Sequence, residues 1–387
     1  MNVPKLRFKE FNDEWKKIQL DSFVDINPKN DSLPEQFIYI DLESVNNGIL
    51  TTRKIINKSE APSRAQRTIK ENDILYQTVR PYQMNNLFVK NFDSDYPYIA
   101  STGYALLRTK ENPYFVYSIL YQKSFVNKVL DMCTGTSYPA ISANDLGTIT
   151  VGLPSLKEQE KISKTLELLD KKIELQSKKI EALKLFKKGL LISKFSNKVK
   201  NKKLEEIIKK GKAGGTPKST VQKYYDGTIP FLSISDISSQ NKYIKHTEKC
   251  ISEEGLKNSS TWLVPKNSII LSMYASYGLP CINKIELATS QAMYSMIFKD
   301  DIDVEFIYYY LYYLQQINYY DRLVSTGTQS NLNAEKVNKI KIYCPNYDIQ
   351  KNISKLFVSC DRKILLEANK LLKLQELKKG LMQNMFV

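Results

Sequence analysis

Histidine is nearly missing from this chain: His246 is the only one among 387 residues. Ser-His or Cys-His pairs and His-based metal sites therefore have almost nothing to build on. Cysteine is sparse too. Cys133, Cys250, Cys281, Cys344 and Cys360 stand far apart with no CxxC spacing, so free thiols and no zinc knuckle are expected. No stretch approaches the roughly 18 consecutive apolar residues of a membrane span. The opening MNVPKLRFKEFNDEW carries no apolar core of a secretory signal. A cytoplasmic protein without membrane contact is the expectation. No GxxxxGK[ST] loop, GxSxG elbow, or dinucleotide or methyl-donor glycine fingerprint occurs. Gly211-Lys212-Ala213-Gly214-Gly215-Thr216 imitates a phosphate loop, but its lysine is misplaced and no strand signal precedes it. It reads as a flexible turn. The carboxylates form no convincing metal cluster. Together these absences argue for binding and against catalysis.

What is present is basic charge and aromatic core material. Lysine and arginine number 57 against 41 acidic residues, a formal net charge of +16. Such an excess steers a protein toward polyanions, and a duplex rewards it through counterion release. Hydrophobic residues make up 42%, with 25 tyrosines, enough to fill real cores. The length suggests two or three domains.

The chain also repeats itself. Pro154-Ser155-Leu156-Lys157-Glu158-Gln159 returns 191 residues later as Pro345-Asn346-Tyr347-Asp348-Ile349-Gln350. The same offset pairs Leu169-Asp170-Lys171-Lys172-Ile173 with Cys360-Asp361-Arg362-Lys363-Ile364, Lys187-Lys188-Gly189-Leu190 with Lys378-Lys379-Gly380-Leu381, and Phe195 with Phe386. Upstream, Gly135-Thr136-Ser137 faces Gly327-Thr328-Gln329 at an offset of 192, one inserted residue apart. Each copy runs in the same order: a globular stretch, a Gly-Thr turn, a short strand, a proline and a long charged helix.

The helices show a heptad seam. Ile162, Leu166, Leu169, Ile173, Gln176, Ile180, Leu183 and Lys187 recur at alternating four and three spacing, and the second copy places Ile353, Phe357, Cys360, Ile364, Glu367, Leu371, Leu374 and Lys378 there. Leu168, Leu175, Leu185 and Leu365 are expected to widen the apolar stripe. Gln176 and Glu367 interrupt both seams at one position, where a polar residue can fix register. Pro154 and Pro345 precede the helices, and Ser155 with Glu158 has the spacing of a capping box. Two outcomes are open: each helix packs on its own globular half, or the two pair antiparallel into a pseudo-two-fold molecule, which the matched seams favour. Ser196 to Lys203 is polar and lysine-rich and reads as the linker between copies.

In the globular halves, Phe37–Ile40, the segment after Asp73, Tyr104–Arg108, Ile229–Ile234, Ile269–Met273 and Ala292–Phe298 are strand candidates. Pro113 to Leu130 and Asp303 to Tyr320 are helix candidates with tyrosine-rich faces; those tyrosines are expected to pack, not to stack on bases. Polar side chains able to meet DNA gather in the remaining stretches. In the first copy they are Arg53, Arg64, Gln66, Arg67, Gln77, Arg80 and Gln83, beside Lys54 and Ser63. The second has Thr216, Lys218, Tyr225, Ser235, Lys242, Tyr274 and Gln291, with Lys212, Lys223, Ser239 and Gln240. Arginine reads guanine O6 and N7 bidentately, and Gln or Asn reads adenine, whereas lysine more often meets phosphate. Arg64, Arg67 and Arg80 stand out because arginine is scarce beside lysine here.

These features resemble the specificity subunit of Type I restriction-modification enzymes. The resemblance is carried by Pro4-Lys5-Leu6-Arg7-Phe8 with Glu14-Trp15, by Gly215-Thr216-Pro217, Ile229-Pro230-Phe231-Leu232, Asp236-Ile237 and Val264-Pro265-Lys266-Asn267-Ser268-Ile269. Ala288-Thr289-Ser290-Gln291-Ala292, Gly327-Thr328-Gln329 before Asn331-Leu332, and the Pro-x-x-x-x-Gln-x-x-Ile starts at Pro154 and Pro345 complete it. The first half departs from the pattern, with Ser101-Thr102-Gly103-Tyr104 at the Ala-Thr-Asn-Gln place and an aromatic insertion in Gly135-Thr136-Ser137-Tyr138-Pro139-Ala140. The resemblance implies an α+β fold with two target-recognition domains, 1–153 and 204–344, each followed by a long helix, 154–195 and 345–387, with a linker at 196–203. The two helices would pair as an antiparallel coiled coil. It implies a non-catalytic chain that binds double-stranded DNA at an asymmetric bipartite target. Partners would be two modification subunits using S-adenosylmethionine, and restriction subunits using ATP and Mg2+; this chain would bind no cofactor or metal. The rival readings are a stand-alone basic DNA-binding protein, a coiled-coil scaffold without sequence-specific DNA binding, and a nuclease or methyltransferase. The last lacks its metal cluster or methyl-donor loop.

Overall fold

The computed structural model describes residues 3–29, 31–91, 94–274, 276–324 and 332–387. The chain forms two compact units, Met1–Ser177 with Asn369–Val387, and Lys178–Ala368. Neither unit coincides with one sequence copy, because each takes a segment of both long helices.

The first unit holds two four-stranded sheets. One is mixed, in the order Lys54–Asn57, Gln36–Ile40, Tyr98–Ser101, Ala65–Thr68, with the two inner strands parallel. The other is antiparallel, in the order Val24–Ile26, Tyr104–Thr109, Ile74–Gln77, Leu87–Phe88. Its central strands are buried on both faces, which is why Ile74-Leu75-Tyr76 and Tyr104-Ala105-Leu106-Leu107 read as unbroken apolar runs. The expected helix from Pro113 to Leu130 is two helices, Pro113–Ile119 and Lys123–Met132. Leu120 and Phe125 are both buried in one core, yet they lie on different faces of any straight helix, so the chain bends between them.

The second unit repeats the theme. A five-stranded sheet runs Ile208–Ala213, Met293–Phe298, Ile269–Ser272, Pro280–Asn283, Tyr243–Ile244, and a three-stranded one runs Lys249–Ile251, Ile229–Leu232, Ala288–Thr289. The strand expected to reach Ile234 stops at Leu232, because Ser233 and Asp236 form a capping box that starts the helix Ile234–Gln240. The presumed flexible turn is corrected as well: Gly211 to Ala213 lie inside Ile208–Ala213, paired with Met293–Phe298. Asp303 caps the helix Val304–Gln316 as expected, and Tyr308, Tyr309, Tyr310 and Tyr313 are buried in its core. Gly327-Thr328-Gln329 and Asn331 lie outside the described residues.

The long helices are Leu156–Phe195 and Tyr347–Asn384, the former about 60 Å along its axis. Both sequence-level outcomes occur on different parts of the seam. The early positions Ile162 and Leu166 belong to the globular core of the first unit, and Phe357 to that of the second. Further along, the helices meet each other. In the second unit Lys179 reaches Glu367 at 2.9 Å and Lys187 reaches Asp361 at 2.5 Å, which is antiparallel order. In the first, Lys378 reaches Asp170 at 2.5 Å. Leu169 and Ile180 are buried, while Ile173, Leu183, Ile364, Leu371 and Leu374 are half-buried along the seam. Leu168, Leu175, Leu185 and Leu365 do not widen it. They are exposed, Leu185 by 70%.

The Pro-x-x-x-x-Gln starts have a structural reason. Gln159 donates to the Pro154 carbonyl at 3.0 Å and accepts from the Asn112 backbone N–H at 3.1 Å; Gln350 does the same to Pro345 at 2.7 Å and Asp303 at 2.9 Å. Asn112 and Asp303 are the N-caps of the two tyrosine helices. One buried amide therefore fastens each long helix to its globular part. The expected capping role of Glu158 is replaced by another. Its buried carboxylate takes both arms of Arg7 at 2.8 Å, tying the Pro4–Phe8 motif to the helix start.

Candidate nucleic-acid interface

In the first unit the candidates cluster at one end of the central strand pair. Ile74–Gln77 and Tyr104–Thr109 pair with Gln77 opposite Tyr104, and Thr78 donates to Gly103 O at 3.0 Å. Beyond this point the chain leaves the sheet as a short 3-10 turn, Pro81–Gln83, flanked by Arg80 and Met84. Arg80 lies over the ring of Tyr138 at 4.4 Å. Arg64 is exposed, and its carbonyl accepts from Thr102 N at 2.9 Å, on the turn that precedes Tyr104. Arg64 and Arg80 thus flank the same strand end. Arg67, on the edge strand Ala65–Thr68, is half-buried; its Nε is buried without a hydrogen-bond partner, and burial pulls its pKa down. Gln66 is exposed and donates to Ser63 O at 2.7 Å. Arg53 is exposed beside Lys54–Asn57.

Gln77 is not a free reader. It is buried, donates to Val79 O and Gln83 Oε1 at 2.8 Å, and accepts from Asn85 N at 3.1 Å. Its amide shapes the turn that presents Arg80 and the exposed Gln83.

The second unit has the equivalent strand end. Ile269–Ser272 pairs with Met293–Phe298, Ser272 opposite Met293, and Met273 N donates to Ala292 O at 2.7 Å. Tyr274 and Gln291 follow just past this strand end, one on each chain segment, and both are exposed. Thr216 and Lys218 are exposed just past Gly214 and Gly215, whose N–H groups donate to Met293 O and Thr289 O at 3.0 Å. Any side chain at Gly214 would meet Thr289 O at 2.2 Å, so the close backbone approach requires glycine. Lys212 is exposed on the strand leading in. Ser235 is exposed at a separate place, on Ile234–Gln240, and shares hydrogen bonds with Ser233 and Glu248.

Some residues are engaged elsewhere. Lys242 is a correction: it is only 9% exposed, paired with Glu305 at 2.5 Å and donating to the Tyr309 hydroxyl at 2.6 Å. Burial lowers its pKa, and it serves the core rather than a phosphate. Tyr225 spends its hydroxyl on Pro217 O at 2.7 Å, Gln240 caps the His246 turn, and Lys223 pairs with Glu254. Sequence reasoning missed Tyr82 and Met84, exposed at the Arg80 turn. Pro81, directly after an arginine and followed by Tyr-Gln-Met-Asn-Asn, was the available signal.

The comparisons agree with this two-fold layout. A profile described as the Type I restriction modification DNA specificity domain matches residues 12–185 and again 196–376. The chain belongs to this family. It is 24% identical to the Type I restriction enzyme HindI specificity subunit of Haemophilus influenzae, over 85% of this chain and 88% of that one. The EcoR124I/EcoR124II specificity subunit of Escherichia coli is 28% identical over 44% of this chain and 43% of its own. Among solved structures, the Type I restriction-modification S subunit from M. genitalium superposes with a TM-score of 0.59 at 20% identity, covering 100% of this chain and 99% of that one. A chain from a study of assembly and conformational transition in a type I system gives 0.63 at 20% identity, over 95% and 96%. The likeness in structure shows the shared fold. As a member of the specificity family, the chain recognises a DNA target and is itself non-catalytic, and modification and restriction subunits are its partner class. Among the described residues, no helix is long and apolar enough to cross a membrane, and no group of three metal-ligating side chains occurs.

Proposed function

We propose that this specificity subunit directs a Type I complex to an asymmetric bipartite sequence in double-stranded DNA, each globular part reading one half. The observation that carries the reading is a contrast at one place in the fold. The strand end that bears Arg64, Arg80 and Gln83 in the first unit bears Thr216, Lys218, Tyr274 and Gln291 in the second. The same frame with different side chains suits two different half-sites. Lys54, Lys212 and Lys218 are suited to phosphates, which set register without reading sequence.

Two modification subunits are the expected partners, one for each copy of the repeat, with S-adenosylmethionine in their own pockets. Restriction subunits using ATP and Mg2+ would complete a cleaving assembly. The exposed leucines support docking on the long helices: Leu168, Leu175, Leu372 and Leu377 in the first unit, and Leu185, Phe186, Leu365 and Leu366 in the second. Apolar side chains in such rows on a helix otherwise face water to no advantage. The long helices would act as the ruler between half-sites, turning two weak recognitions into one tethered event.

The test is to co-express the chain with its cognate modification subunits and map methylated adenines. A bipartite asymmetric motif is expected; methylation without sequence preference would overturn the reading. Adding seven residues to each helix lengthens it by about 10 Å, roughly three base pairs. The tolerated spacer should grow while the half-sites stay the same, and an unchanged spacer refutes the ruler.

A further inference from the structure

The turn after Ile74–Gln77 is held in a conformation that its own sequence disfavours. Arg80 (φ 55°) and Met84 (φ 51°) are both left-handed, with no glycine at either position. Non-glycine residues persist there only when the surroundings over-determine them, and such backbone gathers at ligand-contacting sites. The surroundings here do so. Inside the turn, Gln77 holds Val79, Gln83 and Asn85, and Asn86 Oδ1 accepts from Gln77 N at 2.8 Å. Beneath it, the Tyr121 hydroxyl lies within hydrogen-bond reach of both Met84 O at 3.3 Å and Asn86 O at 3.2 Å. On its flank, Arg80 N donates to Pro139 O at 2.7 Å, and Val79 bridges Ala140. The segment Thr134 to Ala140 folds back on itself through a left-handed Gly135, which carries Tyr138 to the surface.

This scaffold leaves Tyr82, Met84 and Tyr138 exposed, Tyr138 by 64% and Tyr82 by 51%, with Arg80 half-buried against the Tyr138 ring. A rigid support beneath an exposed apolar and aromatic tip, with a half-buried arginine beside it, does not serve the core, since none of these side chains belongs to a core cluster. Stacking on the Tyr138 face at 4.4 Å orients the guanidinium plane and limits its rotamers, and a guanidinium held in one plane is suited to a paired contact. Among the described residues, no carboxylate pairs with Arg80.

We propose that Arg80 reads a guanine through O6 and N7 in the major groove of the half-site recognised by the first unit, with Tyr138 as its positioning residue. The assignment rests on the function proposed above. Guanine is the base whose two acceptors match a planar guanidinium. Arg64, at the same strand end, lies where it can meet the backbone or a neighbouring base. Tyr82 and Met84 form the apolar side of the tip, suited to a thymine methyl or the groove wall.

The test uses the full chain assembled with its modification subunits on a library randomised across the half-site. Arg80→Ala should relax one G·C position of one half-site, reducing discrimination there about five- to a hundredfold, with the other half-site unchanged. Arg80→Lys keeps the charge but loses the paired contact, and should relax the same position. Tyr138→Ala should relax it partly, and Tyr138→Phe, which keeps the ring, should not. A uniform loss over all sequences that Arg80→Lys restores would make Arg80 a phosphate contact and overturn the assignment. So would an unchanged site preference, or a complex that fails to assemble when only Arg80 is altered. Absence of any preferred site with the unaltered chain would instead defeat the underlying function, and the assignment with it.

Discussion

The Lys187 ammonium and the Asp361 carboxylate meet at 2.5 Å across the two long helices of the second unit. The first unit makes the same pair from the repeated residues, Lys378 and Asp170, also at 2.5 Å. Each aspartate takes a second bond from a tyrosine of the neighbouring globular part, Tyr309 at 2.6 Å on Asp361 and Tyr114 on Asp170. The carboxylate is therefore the joint between helix pairing and the globular part, and the tyrosines come from different turns of their helices. Asp361→Ala is expected to lower stability by about 1–3 kcal/mol, since it takes the acceptor from the Tyr309 hydroxyl and the partner from Lys187. Lys187→Ala should lower it less. Denaturant melts of both variants and the double variant check this; strictly additive effects would mean that the pair is not coupled.

Gln159 and Gln350 make a second prediction. Each buried glutamine amide satisfies a carbonyl before the helix and an N–H at a helix cap. Replacement by alanine leaves both backbone groups unpaired, and each substitution should reduce stability by about 1–3 kcal/mol. Glutamate keeps the acceptor and loses the donor, so Gln350→Glu should restore little at neutral pH. A melting curve unchanged by Gln350→Ala would show that water replaces the amide.

Much of the frame was legible in the sequence because repetition exposes it. The 191-residue offset marked both helices, their seam and the proline starts, and alternating spacing is a strong signal over so many turns. The cores of the globular halves were readable as apolar runs for the same reason that they are buried. Less legible was anything decided by a distant partner. Lys242 looks like any surface lysine until Glu305 and Tyr309 close over it. Glu158 looks like a capping residue until Arg7, at the far end of the chain, claims it. The seam did not reveal that Leu185 and Leu365 face solvent, because helical periodicity leaves neighbouring faces ambiguous at its edge. Of the reading residues, the arginines were visible by type, while the turn that aims Arg80 depends on Gln77, Asn86 and Tyr121 acting together.

Arg7 and Glu158 carry a third prediction. The two parallel bonds at 2.8 Å pair a carboxylate that is 1% exposed with a guanidinium near the surface. The Glu158 hydrogen bond is the main reason that the Arg7 pKa is raised. Removing the arginine leaves a buried carboxylate uncompensated, so Arg7→Ala should destabilise the first unit by about 3 kcal/mol. Arg7→Lys offers no fork and should recover only part. The double change Arg7→Met with Glu158→Leu should be milder than Arg7→Ala alone. If it is instead more damaging, the pair contributes net stability beyond compensating its own burial.

Alkaline pH should unfold the protein through its tyrosines. Burial pushes the pKa values of Tyr114, Tyr308, Tyr309 and Tyr320 well above the ordinary value of 10, and that of Tyr121 up to about 12. Below pH 10 these groups are neutral in both states and contribute no pH dependence. Above it the unfolded chain sheds protons that the folded chain retains, so unfolding becomes more favourable by about 1.4 kcal/mol per pH unit for each such tyrosine. Lys242 works the other way: its lowered pKa lets the folded state release a proton first, so stability rises with pH between its folded pKa and 10.5. One lysine opposes several tyrosines, so the net slope above pH 10 is downward. Tyrosinate absorbance should therefore appear together with loss of the circular-dichroism signal. Ionisation of most tyrosines while the fold persists would show that their hydroxyls reach water more freely than their packing implies.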